Sequence, residues 1–305
     1  MSSKRTTYQS SKFHTIPFTG SKFCHKSKLN NLFNDKLDLF KDNETYYFID
    51  VFGGSGALTL IMKYYFLNLP DKKFKVKFIL NDYDKIIDKV DKTLNKCNEI
   101  INEIKKEINW TKYDKNERLE NTEGINKILV KYASDIEQDD YLNRVLNSML
   151  SFNGQRNTNL TNPNVKKVFW NRLRVSNFET DYLKQFDNVL IINLDFQDVF
   201  KNIITEILKK SKPENIFLLL DPPYLYRDNS NYKTNYFKMN EYLKLLKYVL
   251  DYDKMGLNIM LFESEAGKLD DIFEFFKEVL NYDFNFEKID LKNEFVLINF
   301  WEIQS

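Results

Sequence analysis

Four consecutive residues form a segment that could bind and activate an amino group. They are Asp221, Pro222, Pro223 and Tyr224, and they directly follow the apolar run 216–220. The two prolines fix φ and remove two backbone donors, so nearby carbonyl oxygens stay free to accept hydrogen bonds. A carboxylate, a free carbonyl oxygen and an aromatic ring can hold a planar, amino-bearing base and make its exocyclic nitrogen nucleophilic. An ordinary turn after a strand is the alternative interpretation.

A glycine-rich turn follows an earlier apolar run. The run 46–51 ends in Phe-Gly-Gly-Ser-Gly at 52–56, and an apolar helical segment begins at Ala57. Glycines let a ligand approach the backbone, and the following helix N-terminus offers unpaired amides to an anion. The turn lacks the Lys-Ser/Thr of a Walker loop and is not a GxGxxG turn. A dinucleotide and a carboxylate-bearing nucleoside such as S-adenosylmethionine therefore both stay open as ligands.

Acidic residues follow two further apolar runs, and open α/β sheets bind their ligands at the carboxyl ends of such strands. Asp82 comes after the run 76–80, where an acidic side chain would bind ribose hydroxyls. Asp195 and Phe196 come after the run 189–194 and offer an acceptor for an adenine amino group beside an aromatic surface. These residues, with the segment 221–224, predict a nucleotide-like ligand at one sheet edge.

The order of these elements predicts an α/β fold with a Rossmann-like, mostly parallel sheet. Strand, glycine turn, helix and strand in succession imply a right-handed βαβ unit. Residues 1–83 and 186–305 would form this domain, and residues 84–185 a largely helical insertion. Within the insertion, Gly124 is a candidate helix break, and an apolar seam predicts a helix that packs against another helix. The seam consists of Ile87, Val90, Leu94, Cys97, Ile101, Ile104 and Ile108.

Composition narrows the class of protein. The chain has 305 residues, of which 43% are hydrophobic and 29% charged, which suits a single core with an insertion. No stretch approaches the roughly 20 apolar residues that a membrane span requires, and we see no secretory signal. We therefore expect a cytoplasmic protein. We expect no metal site, because the cysteines and histidines lack the spacing of metal ligands. These residues are Cys24, Cys97, His14 and His25.

Basic residues are concentrated in two segments. Residues 1–30 carry six basic and no acidic side chains, and residues 151–178 carry five basic and no acidic ones. The rest of the chain has an excess of acidic residues, although the net charge is only +1. Two basic islands on an acidic body predict a local polyanion-binding face.

Several motifs together resemble the Dam-type DNA adenine-N6 methyltransferases (D12 class, alpha group). Residues 221–224 match the family's catalytic Asp-Pro-Pro-Tyr motif, and residues 50–56 are similar to its D-x-F-x-G-S-G cofactor loop. Residues 18–22 resemble its N-terminal aromatic-x-Gly-Gly-Lys element, with Ser21 in place of the second glycine. Residues 294–300 resemble its closing strand. The similarity extends over most of the chain in the expected order.

The resemblance implies a class I methyltransferase fold, S-adenosylmethionine as the cofactor, and direct methyl transfer to adenine flipped out of duplex DNA. Tyr224 would stack on the flipped ring. The implied cofactor-binding residues are Phe18, Lys22, Asp50, Phe52, Gly53, Gly54, Ser55, Gly56, Asp82, Asp195, Phe196 and Asp221. The insertion would recognise the target sequence. The expected DNA-binding residues are Asn153, Arg156, Lys166, Lys167, Arg172, Arg174, Lys233 and Tyr236.

Duplex DNA is therefore the expected partner of a monomer or weak dimer that does not bind membranes. A cognate restriction endonuclease that acts separately stays open as a further partner. Three alternatives to adenine methylation also stay open. The first is methylation of cytosine N4, the second is methylation of RNA or of a protein amide, and the third is a nucleic-acid-binding protein without catalysis.

Overall fold

The computed structural model of the protein forms two compact units, one containing residues 21–85 and 186–305 and the other residues 86–185. The residues that it describes are 22–107, 118–119, 122–150, 169–170, 181–224, 237–264, 273–274, 277–278, 282, 286–291 and 294–300.

The described residues form strands and helices with the following bounds. The strands are β1 (Thr45–Asp50), β2 (Lys75–Asn81), β3 (Arg118–Leu119), β4 (Phe169–Trp170), β5 (Val189–Ile192), β6 (Ile216–Leu220), β7 (Asn258–Ser264), β8 (Glu287–Asp290) and β9 (Glu294–Asn299). The helices are α1 (Lys26–Asp35), α2 (Ala57–Leu67), α3 (Val90–Glu107), α4 (Thr122–Lys131), α5 (Ala133–Gln138), α6 (Asp140–Leu150), α7 (Phe196–Asp198), α8 (Thr205–Leu208) and α9 (Met239–Lys254). A π-helical segment, Val199–Ile204, joins α7 to α8.

The first unit contains a seven-stranded sheet in the order β5-β2-β1-β6-β7-β9-β8. The first five strands of this order are parallel, and β9 runs antiparallel to both β7 and β8. The predicted α/β fold with a Rossmann-like, mostly parallel sheet is confirmed. The strand β6 lies in the middle and is buried along its whole length, as expected for a parallel strand covered on both faces.

The two faces of the sheet are packed by different side chains, because successive residues of a strand point to opposite sides. On one face Phe48 of β1 stacks on Phe217 of β6, with ring centroids 4.6 Å apart, and Phe33 of α1 and Phe66 of α2 pack around them. The opposite face buries aliphatic side chains in a single cluster with α9. That cluster includes Ile49, Leu218, Leu220, Leu245, Leu246, Val249, Ile259 and Leu261. Burial on both faces fixes the strand register, so the carboxyl ends of the parallel strands meet at one edge.

The second unit is helical in its described part, apart from the short strand pair β3 and β4. Apart from Ile108, which lies outside the described residues, the apolar seam forms the buried side of a 3₁₀ turn, Ile87–Lys89, and of α3. The helix α3 packs against α4 and α6. The predicted helix–helix packing is thus confirmed for this seam. The expectation that Gly124 breaks a helix is wrong, because Gly124 lies in the first turn of α4. Glycine is destabilising mainly in the middle of a helix, and Gly124 is the third residue of α4.

Among the described residues, no helix is both long enough and apolar enough to cross a membrane.

Candidate active site

The buried amide of Asn81 joins the carboxyl ends of three neighbouring strands. Its Nδ2 donates to the carbonyl oxygens of Val51 (3.0 Å) and Leu194 (2.9 Å), and its Oδ1 accepts from the Leu194 N–H (2.9 Å). One side chain thereby satisfies three backbone groups where β1, β2 and β5 end. Sequence reasoning singled out the neighbouring Asp82 and assigned no role to Asn81. The sequence feature that could have pointed to Asn81 was its position at the end of an apolar run.

The glycine turn packs tightly against neighbouring side chains of the chain. The Gly53 N–H donates to the Asn81 carbonyl (3.0 Å), and a Cβ on Gly53 would lie 1.9 Å from Leu80 Cδ1. Gly56 has φ of +72°, and a Cβ there would lie 2.5 Å from the Phe186 ring. The sequence suggested that these glycines admit a ligand. In the structure, Gly53 and Gly56 make room for Leu80 and Phe186.

Asp50 is a buried carboxylate at the end of β1, with 1% of its surface exposed. Its Oδ2 accepts a hydrogen bond from the Thr59 hydroxyl (2.8 Å), and the Thr59 backbone also bonds to the carboxylate. Within the part of the chain that the structure describes, Asp50 Oδ1 has no hydrogen-bond partner. Burial raises the pKa of Asp50 to about 7, while the Thr59 hydrogen bonds oppose this change. Asp50 therefore offers one acceptor atom to a donor or cation.

Asp82 and Asp195, the two other acidic residues at strand ends, are held by hydrogen bonds to neighbouring residues. Asp82 is fully buried, its N–H donates to the Ile192 carbonyl (2.8 Å), and its carbonyl accepts from Asn193 Nδ2 (2.7 Å). Asp195 is the N-cap residue of α7, and its Oδ1 accepts from the Gln197 N–H (2.9 Å). Both carboxylates belong to the same edge as Asp50, and their predicted contacts with a nucleoside stay predictions.

Phe52 and Phe196, the described aromatic residues expected beside the cofactor, form a cluster with Phe237. The rings of Phe52, Phe196 and Phe237 lie with their centroids 5.5–5.6 Å apart. Phe196 and Phe237 are buried, whereas Phe52 is partly exposed. The wall next to Asp195 is thus apolar, and of the three rings Phe52 presents the most open surface.

The segment 221–224 meets the N-terminal region of the described chain through Lys22. The Lys22 ammonium lies 2.8 Å from Asp221 Oδ2 and 3.2 Å from Glu294 Oε2, and it donates to the Tyr224 hydroxyl (3.0 Å). The Tyr224 hydroxyl lies within donating distance of Asp221 Oδ1 (3.1 Å) and Glu294 Oε2 (3.2 Å). The Lys22 and Tyr224 side chains are buried, and Asp221 and Glu294 keep 20% and 13% of their side chains exposed. We call these four residues the lysine cluster.

Burial and the charges within the lysine cluster shift the pKa values of Lys22, Asp221 and Tyr224. Burial lowers the pKa of Lys22, but Asp221 and Glu294 together outweigh burial and raise this pKa above its ordinary value. Burial raises the pKa of Asp221, and the Lys22 charge opposes that rise. The pKa of Tyr224 is raised well above its usual range by burial and by both carboxylates, so its hydroxyl stays protonated.

Sequence reasoning missed two residues of this region. Glu294 was noted only as the start of the closing strand, and His25 was considered only as a metal ligand. His25 Nε2 lies 3.6 Å from Glu294 Oε2. Burial lowers the pKa of His25, and the Lys22 and Lys28 charges lower it further against the opposing effect of Glu294. A charged residue beginning an otherwise apolar strand was the available signal for Glu294.

The structure brings several predicted site residues together at one edge, and the remaining ones lie outside the described residues. The latter are Phe18, Asn153, Arg156, Lys166, Lys167, Arg172, Arg174, Lys233 and Tyr236. Among the residues described, no group of three or more histidine, cysteine, aspartate or glutamate side chains could hold a metal ion.

Comparison with known proteins points to one general activity. No family model matches the chain. The chain is 28% identical over 249 residues to a Haemophilus influenzae protein named "Putative methyltransferase", and the match covers 81% of this chain and 74% of that protein. The mostly parallel sheet is consistent with a Rossmann-like methyltransferase fold. The similarity and the fold together support methyltransferase activity.

Proposed function

We propose that the protein transfers a methyl group from S-adenosylmethionine to N6 of adenine in duplex DNA after flipping the base out of the helix. The observation that carries this proposal is the position of Asp221 and Tyr224 at the end of β6. In the sheet, β6 is hydrogen-bonded to β1, which leads into the glycine turn. A carboxylate that can hold an amino group therefore adjoins the candidate cofactor site.

The residues at the edge fit S-adenosylmethionine. Asp50 Oδ1 is a buried acceptor without a partner among the described residues, and such an atom is stabilised by a hydrogen-bond donor or a cation. The ammonium group of the cofactor's methionine part supplies both. Asp82 would bind the ribose hydroxyls and Asp195 the adenine amino group, as acidic strand ends do in related sheets. When bound, the cofactor supplies a methyl group on a sulfonium, and the sulfur keeps the bonding electrons when the C–S bond breaks.

The protein holds and orients the nitrogen that is to be methylated. The Asp221 carboxylate and the Pro222 carbonyl would accept the two N6 hydrogens and draw the nitrogen lone pair out of conjugation with the ring. Each carboxylate oxygen has two acceptor sites, so Asp221 can bind the base while its contacts with Lys22 and Tyr224 persist. After the N–C bond forms, the nitrogen loses a proton. Asp221, whose pKa is raised by burial, is the proposed acceptor.

Duplex DNA is the proposed substrate because the sequence carries a basic segment at residues 151–178. A target adenine is stacked and paired in the duplex, so it has to be flipped out before its amino group can react. Flipping the base costs a few kcal/mol. Contacts between basic side chains and phosphates supply sequence-independent affinity that can offset this cost. Asn153 and Arg156 belong to the residue types that bind adenine and guanine edges in pairs.

The test is transfer of labelled methyl from S-adenosylmethionine to unmethylated duplex DNA, with nucleoside mass spectrometry of the product. We expect N6-methyladenine from the wild type and at least a 1,000-fold lower rate from Asp221→Ala. Asp251→Ala removes an exposed carboxylate from α9 and is the matched control, expected to keep the wild-type rate. N4-methylcytosine as the product, or a near-normal rate for Asp221→Ala, would contradict the proposal.

A further inference from the structure

Glu294 is the one member of the lysine cluster outside the motifs that we assigned to cofactor or base. It is the first residue of β9 and pairs with Ser264, the last residue of β7. Its side chain reaches the Lys22 ammonium (3.2 Å) and the Tyr224 hydroxyl (3.2 Å) through the same oxygen, Oε2. A partly buried carboxylate that contacts both groups can control how each of them meets Asp221.

In the lysine cluster two carboxylates share the same two donor groups, the Lys22 ammonium and the Tyr224 hydroxyl. The Lys22 ammonium has three N–H groups, and acceptors of three of the described residues lie 2.8–3.2 Å from it. The Tyr224 hydroxyl has one proton, and two carboxylates lie within reach of it. Glu294 therefore competes with Asp221 for both the lysine charge and the tyrosine proton.

We infer that Glu294 is a positioning residue, an inference that rests on the proposed function. Glu294 shares the Lys22 ammonium with Asp221 and fixes the Tyr224 hydroxyl. It thereby keeps Asp221 a strong acceptor for the substrate amino group.

The reason lies in the charge balance around Asp221. With Glu294 ionised, two carboxylates share the Lys22 ammonium, so Asp221 retains negative charge for the amino group. Without the Glu294 charge, Lys22 neutralises Asp221 alone, and a neutralised carboxylate is a weaker acceptor. The pKa of Asp221 agrees with this charge balance, because the Glu294 charge raises it.

Further charged groups act on the lysine cluster. Asp50 interacts electrostatically with Asp221 and with Lys22. His25 lies against Glu294, and Lys28 acts on His25. Burial lowers the pKa of His25, so it is largely neutral at pH 8, where the rates are compared.

The decisive variant is Glu294→Gln, which keeps the shape of the side chain and removes its charge. We expect S-adenosylmethionine affinity within threefold of the wild type, a kcat lowered at least tenfold, and the acid limb of the pH–rate profile shifted to lower pH. Glu294→Asp keeps the charge and should restore the profile. Glu287→Gln removes an exposed carboxylate from the neighbouring strand β8 and should change neither quantity. A kcat and a pH profile within twofold of the wild type for Glu294→Gln would overturn the inference.

A second measurement is independent of DNA methylation. The Tyr224 ¹³Cζ resonance, identified by its loss in Tyr224→Phe, should move in Glu294→Gln and stay in place in Glu287→Gln. If the wild type leaves adenine unmodified while this resonance moves, the proposed function fails and the contact of Glu294 with Tyr224 stands. A resonance that stays in place in Glu294→Gln contradicts the inference whatever the substrate is.

Discussion

Replacing Lys22 with methionine keeps most of the side-chain volume and removes the cation of the lysine cluster. Removing one partner of a fully buried ion pair costs roughly 3–5 kcal/mol, because the other charge stays buried without compensation. Asp221 and Glu294 keep 20% and 13% of their side chains exposed. Water therefore screens part of the cost, and we expect a loss of about 3 kcal/mol at pH 8. A loss of that size lowers Tm by roughly 6–12 °C in a domain of 150–250 residues.

The destabilisation caused by Lys22→Met should depend on pH in a defined direction. Without the lysine charge that opposes the effect of burial, the folded-state pKa of Asp221 rises further above its unfolded value, which lies near 4. When a carboxyl group has a raised pKa in the folded state, the folded protein loses stability as pH rises above the pKa of that group in the unfolded state. The variant should therefore lie much closer to the wild type at pH 5 than at pH 8.

Scanning calorimetry of both proteins at pH 5, 6.5 and 8 measures this difference. Lys36→Met is the control, because Lys36 lies 3.8 Å from the exposed Glu287 and such surface pairs contribute about 0–1 kcal/mol. The double variant Lys22→Met with Glu294→Gln should recover part of the loss at pH 8. A Tm difference that is the same at pH 5 and pH 8 would refute the electrostatic argument, as would a Lys22→Met variant as stable as the wild type at pH 8.

Two further predictions concern the edge next to β1. The folded-state pKa of Asp50, about 7, lies above its unfolded value, near 4, so Asp50 ionises first in the unfolded state and the protein loses stability as pH rises from about 4 to about 7. Asp50→Asn should therefore gain thermal stability relative to the wild type between pH 5 and pH 8 while binding S-adenosylmethionine at least tenfold more weakly by calorimetry; an unchanged affinity would remove Asp50 from the cofactor site. Gly56→Ala should destabilise the protein by about 2–4 kcal/mol in urea unfolding, because it combines left-handed backbone strain with a clash against Phe186. Gly256→Ala, with φ of +85° and no atom within 4 Å of an added Cβ, measures the strain alone, so equal losses in the two variants would disprove the clash.

Much of the fold could be predicted because its sheet is mostly parallel. Parallel strands are buried on both faces and appear in a sequence as short apolar runs, such as 216–220, bounded by turn residues. The apolar side of α3 could be predicted equally well, since the spacing of apolar residues along a helix depends only on the local sequence. Strand bounds differed by a few residues: the predicted run 189–194 forms a strand only at Val189–Ile192. Residues 193 and 194 leave the ladder, and the Leu194 backbone bonds to Asn81 instead.

The sequence by itself determined which chemical groups follow the parallel strands, because the order strand, turn and helix forces the strand ends to one edge. Asp82, Asp195 and the segment 221–224 could be named on that ground alone, whereas Asp50 was named through the resemblance of residues 50–56 to a cofactor loop. Only the tertiary structure decided which of these groups meet and in what environment. The contact of Lys22 with Tyr224 spans 202 residues of sequence. The lysine cluster exists because β9 packs antiparallel beside β7, and a long-range electrostatic contact of this kind leaves no periodic trace in the chain.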